Sequence, residues 1–397
     1  MLTPEEAWER IAERATSLES REVARRDALG RALSAPLAAT VDVPAADVSA
    51  MDGYTLAGAA AAGDELPVAG VVAAGDAPGF ALPAGAAARI MTGAPVPSGA
   101  DTVVPVELTD GGRETVRFTA DTPRGVNIRR RGEVLRRGDP LLPPGHLLTP
   151  GALALAATHG LATLPVHRRP RVAVLTTGDE VVAPDRVPAP GQLRDSHTDF
   201  LLAACRLAGV EAEPLGIAPD EPAELAARVR SGLAADVLLV CGGVSMGEFD
   251  LVEGVLAEAG CEVLFDAVAL TPGKPLVTAR SARGWVFGLP GNPASVMVCF
   301  WLFVRPLLDL LQGRPGRCWG DATEGVLAGA LPGAKDRDRF LAAEVALGEG
   351  RPRVTPVVPK GSHDVAAYAR GTALVRIRPG APPAPPGASC EVMIVAG

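Results

Sequence analysis

Four short segments of this chain place glycine beside hydroxyl, carboxylate or ammonium groups, each after an apolar run: TTGDE (176–180), CGGVSMGEFD (241–250), TPGKP (271–275) and GLPGNPAS (288–295). The adjacent carboxylates of Asp179 and Glu180 suit Mg²⁺, which takes carboxylate and water oxygens and keeps substrate phosphates as partners. A helix cap followed by an exposed acid is the plain alternative. Gly242 and Gly243 let a ligand approach the backbone, and Ser245, Glu248 and Asp250 follow them. Lys274 stands between glycine and proline, a cation in a stiff frame or an ordinary surface lysine. Arg129, Arg130 and Arg131 form the densest positive run; they could clasp a phosphate bidentately or form a solvated turn. SAMDGY (49–54) sets Asp52 beside a glycine, and IMTGAP (90–95) offers the Thr92 hydroxyl to an oxyanion; both also read as turns.

Several chemistries are disfavoured. There is no Ser-His-Asp order with a G-x-S-x-G elbow, no G-x-x-x-x-G-K-[ST] phosphate loop and no H-E-x-x-H zinc motif. The five histidines show no metal-ligand spacing, and a net charge of −8 does not suit a general nucleic-acid binder. The six cysteines lack a C-x-x-C pair, which fits a reduced, cytoplasmic compartment. The start, MLTPEEAWER, reads as an acidic helix and not a signal peptide. The longest apolar run, roughly Ala294 to Val304, is too short to span a bilayer, so no membrane partner is expected.

The elements that must position these segments alternate strand and helix from Arg171 to Gln312. Ser196 with Asp199 reads as a capping-box start and Gly209 as a stop; Asp220 precedes a helix with Leu225, Val229 and Leu233 on one face. Asp250 with Glu253 opens the next helix, and Asn292 with Pro293 opens one running to Gly313. The pattern predicts a three-layer, mostly parallel α/β domain, whose strand carboxyl ends are where ligands bind.

Upstream, Thr3 and Glu6 make a capping box for a helix with an apolar face from Ala7 through Leu18, and a short helix is expected over Asp27 to Leu33. Short β runs from about Asp42 predict a small antiparallel barrel or sandwich, and helical texture returns near Thr149. After Gly313 a C-terminal β-barrel of roughly 75 residues is expected. The predicted boundaries are 1–41 with 141–168 for a helical segment, 42–140 for an inserted β domain, 169–316 for the α/β domain and 317–397 for the barrel.

The segments SAMDGY, RIMTGAPVPSGADTVVPVE, NIRRRGE, TTGDE, GQLRDS, CGGVSMGEFD, PGKP and LPGNPAS, in this order, resemble the molybdopterin molybdenumtransferase family, the MoeA-type proteins and the C-terminal domain of gephyrin. The resemblance implies an α/β molybdopterin-binding domain within a four-part, elongated homodimer whose cleft lies between subunits. It implies an enzyme that inserts molybdate into adenylylated molybdopterin, releasing AMP, with Mg²⁺ assisting; the molybdopterin adenylyltransferase and acceptor molybdoenzymes are then candidate protein partners.

By motif, the resemblance assigns catalytic roles to Thr92, Glu180, Asp220, Asp250 and Lys274, with Glu180 and Asp250 as metal ligands. It assigns binding of the pterin substrate to Asp52, Arg129, Asp195, Ser196, Gly242, Gly243, Ser245, Pro290, Asn292, Pro293, Ser295 and Ser362. The chain departs from the pattern at Val134, where Asp is usual, and at Thr271, where Lys or Arg is usual. Ala267 replaces a lysine of some members and His197 a common Asn. These departures bear on molybdate handling, so an unusually high molybdate requirement is expected. The alternatives are a paralogue retaining the cleft as a scaffold, one inserting another oxyanion such as tungstate, or a CinA-like nucleotide hydrolase, against which IMTGAP and NIRRRGE count.

Overall fold

The computed structural model describes residues 1–75, 81–243 and 251–395. Its centre is a six-stranded sheet in the order 212–218, 172–177, 237–241, 285–289, 275–280, 262–267. The first four strands are mutually parallel, whereas Pro275–Arg280 runs antiparallel to both its neighbours. Val172–Thr177, Val237–Cys241 and Trp285–Leu289 are buried along their whole length, as befits strands covered on both faces.

Helices α1 (Pro4–Ala12), α3 (His197–Leu207), α6 (Pro293–Cys299) and α7 (Arg305–Leu311) cover one face, with Val174, Leu239 and Phe287 in their core. On the other face α4 (Pro222–Gly232) and α5 (Leu251–Glu258) enclose Leu175, Leu238 and Val240. Helix α2 (Pro150–Thr158) belongs to the N-terminal region and is capped by Thr149, whose hydroxyl accepts from Ala152 N at 3.2 Å.

The capping box at Thr3 and Glu6 forms as expected. The helix it opens ends at Ala12, however, short of Ala15 and Leu18, because the chain turns away and Leu18 N donates to Leu311 O at 2.8 Å. No helix covers Asp27–Leu33. Only a 3₁₀ turn, Arg25–Asp27, forms, and Leu33 instead bridges Val166 beside the antiparallel ribbon of Ser20–Ala24 and Thr163–His167. The region expected to be helical is therefore half ribbon.

One cap also differs from expectation. Asp195, not Ser196, caps α3 by accepting from His197 N (2.9 Å) and Thr198 N (3.1 Å). Glu221, the residue after Asp220, caps α4. Asn292 and Pro293 do open α6, but without a side-chain cap bond. The helical run then widens to a π turn over Phe300–Val304. Pro306 follows, and since proline cannot donate a backbone hydrogen bond, a widened turn there is expected. The full run, Pro293–Leu311, is 19 residues, long and apolar enough to cross a membrane; it is mostly buried inside the fold, where it serves as a core helix.

The inserted region forms a five-stranded sheet in the order 102–105, 53–56, 87–90, 65–72, 115–117. It is not wholly antiparallel as predicted: Glu65–Val72 and Ala87–Ile90 pair parallel. Residues 73–86 separate them, long enough for the crossover that a parallel pair demands.

In the C-terminal region, strands 338–346, 353–357, 323–327, 389–394 and 373–377 pair in sequence, and the last closes on the first, giving a five-stranded barrel. Leu270–Thr271 from the α/β domain adds in parallel to this barrel's Asp338–Ala346 strand. A buried ion network spans the same seam: Arg376 donates to Asp338 at 2.6 Å and to Glu5 of α1 at 2.5 Å.

Candidate functional site

At the carboxyl edge of the central sheet, adjacent loops are tied by backbone bonds: Gly178 N to Ala218 O (3.2 Å) and Gly242 N to Leu289 O (3.1 Å). Gly242 has φ +97°, and a Cβ there would lie 2.8 Å from Thr177 O, so no other residue fits. Thr177 Oγ1 is buried at this rim without a hydrogen-bond partner. The Glu180 carboxylate folds back over Gly178, 2.7 Å from where a Cβ would be.

Asp220 approaches the same rim, its N–H donating to Asp179 Oδ1 at 3.1 Å. Burial raises the Asp220 pKa above the ordinary carboxylate value, and the neighbouring charges of Asp179 and Glu180 push the same way. Such mutual repulsion favours a cation, although among the described residues no three metal-ligating side chains converge. Ser245 and Asp250 lie outside the described residues.

Further along the edge, a cavity of about 360 Å³ opens between the α/β domain and the barrel. Lys274, Thr271, Asn292 and Ser295 line one wall, and Arg337, Arg339 and Ser362 the other. Ala294 N donates to Ser362 O at 3.1 Å, locking the start of α6 to the barrel loop. Lys274 has no side-chain hydrogen bond or ion pair among the described residues, and Arg337 Nε is buried without a hydrogen-bond acceptor. Arg339 donates to Gly333 O at 3.2 Å. Helix dipole, ammonium and guanidinium charge thus converge with hydroxyls on a site fit for an oxyanion.

The inserted domain contributes a separate cluster. Thr92 donates to Asp52 Oδ1 twice, from its N–H at 2.6 Å and its hydroxyl at 2.7 Å. These bonds, the backbone one foremost, hold the Asp52 carboxyl below its ordinary pKa. Ile128–Arg129 pairs with Val48–Ser49, placing Arg129 on the strand beside the SAMDGY loop. Of the three arginines, Arg130 pairs with Asp47 at 2.7 Å and Arg131 with Asp42 at 2.6 Å; exposed Arg129 has no such partner among the described residues. The hydrogen bonds of this cluster stay within the inserted domain.

Against known families, residues 2–160 match the family described as "MoeA N-terminal region (domain I and II)", 173–310 "Probable molybdopterin binding domain" and 324–395 "MoeA C-terminal region (domain IV)". The curated molybdopterin molybdenumtransferase 2 of Mycobacterium tuberculosis is 35% identical over 362 residues, covering 88% of this chain and 89% of that protein. The chain belongs to the molybdopterin molybdenumtransferase family. The Bacillus subtilis molybdopterin molybdenumtransferase is 34% identical over 409 residues, covering 98% of this chain and 93% of that protein. A solved molybdopterin biosynthesis MoeA protein from Pyrococcus horikoshii superposes with a TM-score of 0.86 at 29% identity, covering 100% of both chains.

In this molybdopterin molybdenumtransferase family member, the structure brings Lys274, Asn292, Ser295 and Ser362 together, and separately Asp52, Thr92 and Arg129. Asp195 spends its oxygens on the α3 cap, including a 2.6 Å bond from the Thr198 hydroxyl, and Ser196 sits beside it. Pro290 ends the strand before Gly291, and Pro293 starts α6. Arg337 and Arg339 escape sequence reasoning, since AKDRDRF reads as a solvated, mixed-charge turn. The one local signal is the resumption of apolar residues directly after Arg339.

Proposed function

We propose that this chain inserts molybdate into adenylylated molybdopterin, releasing AMP and forming molybdenum cofactor. The observation that carries the proposal is the cavity holding unpaired Lys274 with Arg337, Arg339, Ser295 and Ser362 at the edge of the molybdopterin-binding domain. Cations there neutralise anionic oxygens, and the serine hydroxyls donate to them. Gly242 and Gly243 at the rim leave room for a flat pterin to meet the backbone. Mg²⁺ fits the repelling carboxylates: Glu180, with Asp220 beside it, would hold it, and it would supply charge neutralisation at the pyrophosphate.

The same reading supports a homodimer. Asp52, Thr92 and Arg129 present an unpaired guanidinium and a hydroxyl but bond only within their own domain, so a second copy's inserted domain is the natural complement to the Lys274 cavity. All six cysteines are free, which supports a reducing, cytoplasmic setting. The test is AMP release and cofactor formation from adenylylated molybdopterin and molybdate by wild type and Lys274→Gln. A wild type that forms no cofactor would favour the scaffold alternative, and turnover with tungstate but not molybdate would favour the other.

A further inference from the structure

A second basic cavity, about 700 Å³, lies where the ribbon of Ser20–Ala24 and Thr163–His167 meets the segment entering the central sheet. Five arginines line it, at positions 21, 31, 168, 169 and 171, with Glu19 and Glu22 as its carboxylates. Two of the five are committed. Arg168 donates to Glu19 at 2.5 Å and clasps Asp236 through both Nη atoms at 2.6 and 2.8 Å. Arg171 donates to Ala234 O at 2.9 Å and lies 3.7 Å from Asp236.

The other three are under-satisfied. Arg31 donates only from Nη2, to His167 O at 2.9 Å, and its Nε is buried with no acceptor. Exposed Arg169 has no side-chain acceptor or ion pair among the described residues. Arg21 stands 3.6 Å from Glu19, which already serves Arg168. Burial holds the Arg31 guanidinium below its usual value, and the charges of Arg169 and Arg21 add to the effect. A guanidinium carries five N–H donors in a fork that fits a tetrahedral oxyanion. Five guanidiniums thus gather around a buried, unused donor with only Glu19 and Glu22 as lining carboxylates, and Glu19 already serves Arg168.

We propose that this cavity binds a tetrahedral, phosphate-type oxyanion through Arg21, Arg31 and Arg169, as a site distinct from the Lys274 cavity. Val23 is the one apolar side chain in the lining, and no aromatic ring is present. A nucleoside base therefore finds no stacking surface, and the anionic group alone is recognised. The bound anion bridges the ribbon strand bearing Arg21, the turn bearing Arg31 and the connecting segment bearing Arg169, and so fastens the N-terminal region to the central domain. The proposal goes beyond the transferase reading and does not depend on it.

The test is thermal unfolding of the full chain in the Lys274→Gln background, which weakens the other oxyanion cavity, titrated with inorganic phosphate against sodium chloride at equal ionic strength. Phosphate should raise the melting temperature saturably and chloride should not. Adding Arg169→Gln should raise the phosphate midpoint about 10- to 100-fold, the usual loss for a charged hydrogen bond. It should also raise the melting temperature without phosphate, because a repelling charge has gone. Arg31→Gln should act alike; should it fail to fold, exposed Arg169 carries the test alone. Sulfate and molybdate arms report whether any tetrahedral dianion suffices. A chloride effect equal to that of phosphate, or an unchanged midpoint in Arg169→Gln, overturns the site.

Discussion

Thr271 lies directly opposite Arg339, in the short parallel pairing that joins the α/β domain to the C-terminal barrel. Both residues line the cavity that holds Lys274. The position where the family pattern has a cation is therefore filled here by a threonine with arginines facing it.

This relationship reshapes the expectation of a high molybdate requirement. A charged hydrogen bond contributes about 1.5–3 kcal/mol. Arg337→Gln or Arg339→Gln should raise the molybdate concentration for half-maximal activity about 10- to 100-fold. Thr271→Lys should change it by less, since two guanidiniums already face the site. A marked gain from Thr271→Lys would show that the arginines do not substitute for the missing cation. Steady-state rates over a molybdate series separate these outcomes.

Glu180→Gln preserves shape and removes charge. AMP release should fall by orders of magnitude in this variant and in chelator, because a bound metal contributes several kcal/mol to transition-state stabilisation. Unchanged AMP release under both conditions would remove Glu180 and Mg²⁺ from the mechanism.

If the cleft is shared between subunits, Arg129→Gln and Lys274→Gln should each be nearly inactive alone. Mixed, they should regain activity, because a heterodimer places both substitutions in one cleft and leaves the other intact. Light scattering should give twice the 40.6 kDa chain mass. A monomer at micromolar concentration, or no recovery on mixing, defeats the shared cleft.

His197 is buried, with Nε2 lacking a partner. Burial holds its pKa below the ordinary 6.5, against the pull of Asp195. The unfolded chain then binds the extra proton first, so His197 costs stability as pH falls below 6.5 towards its folded value. Denaturant midpoints from pH 7.5 down to 5 should fall less steeply in His197→Asn than in wild type. Parallel curves would show that this imidazole is not the cause.

Arg376 and Asp338 side chains are only 1% and 5% exposed. Arg376→Ala strands a buried carboxylate and should cost about 3–5 kcal/mol, read from urea unfolding. A loss below 1 kcal/mol would mean that water enters and solvates Asp338.

The central sheet is legible in the sequence because parallel strands buried on both faces leave continuous apolar runs, as in Val237–Cys241. The ribbon at Ser20–Ala24 is not legible: all five of its residues are exposed or half-buried, and its partner comes from Thr163–His167. The same distinction divides the site. Lys274 sits in a loop, and Ser295 in the first turn of α6 directly after one, whose glycines and prolines signal special backbone. Arg337 and Arg339 become site residues through the pairing of Asp338–Arg339 with Leu270–Thr271, a long-range event whose one local trace is the apolar run after Arg339. The cap expected at Ser196 failed by one residue, because the adjoining Asp195 carboxylate reached the free amides first.

The clasp between α1 and the barrel has a consequence for synthesis. Glu5 meets Arg376 across 371 residues of sequence, so at the usual 5–20 residues per second α1 leaves the ribosome roughly 20–75 seconds before its partner exists. Leu18 likewise waits for His167, 149 residues on. The inserted sheet, whose strands all lie between Gly53 and Arg117, can complete itself meanwhile. The first segment made is thus among the last to be secured, and a chain stopped before Arg376 would leave α1 without its ionic anchor and offer its apolar face to chaperones and proteases.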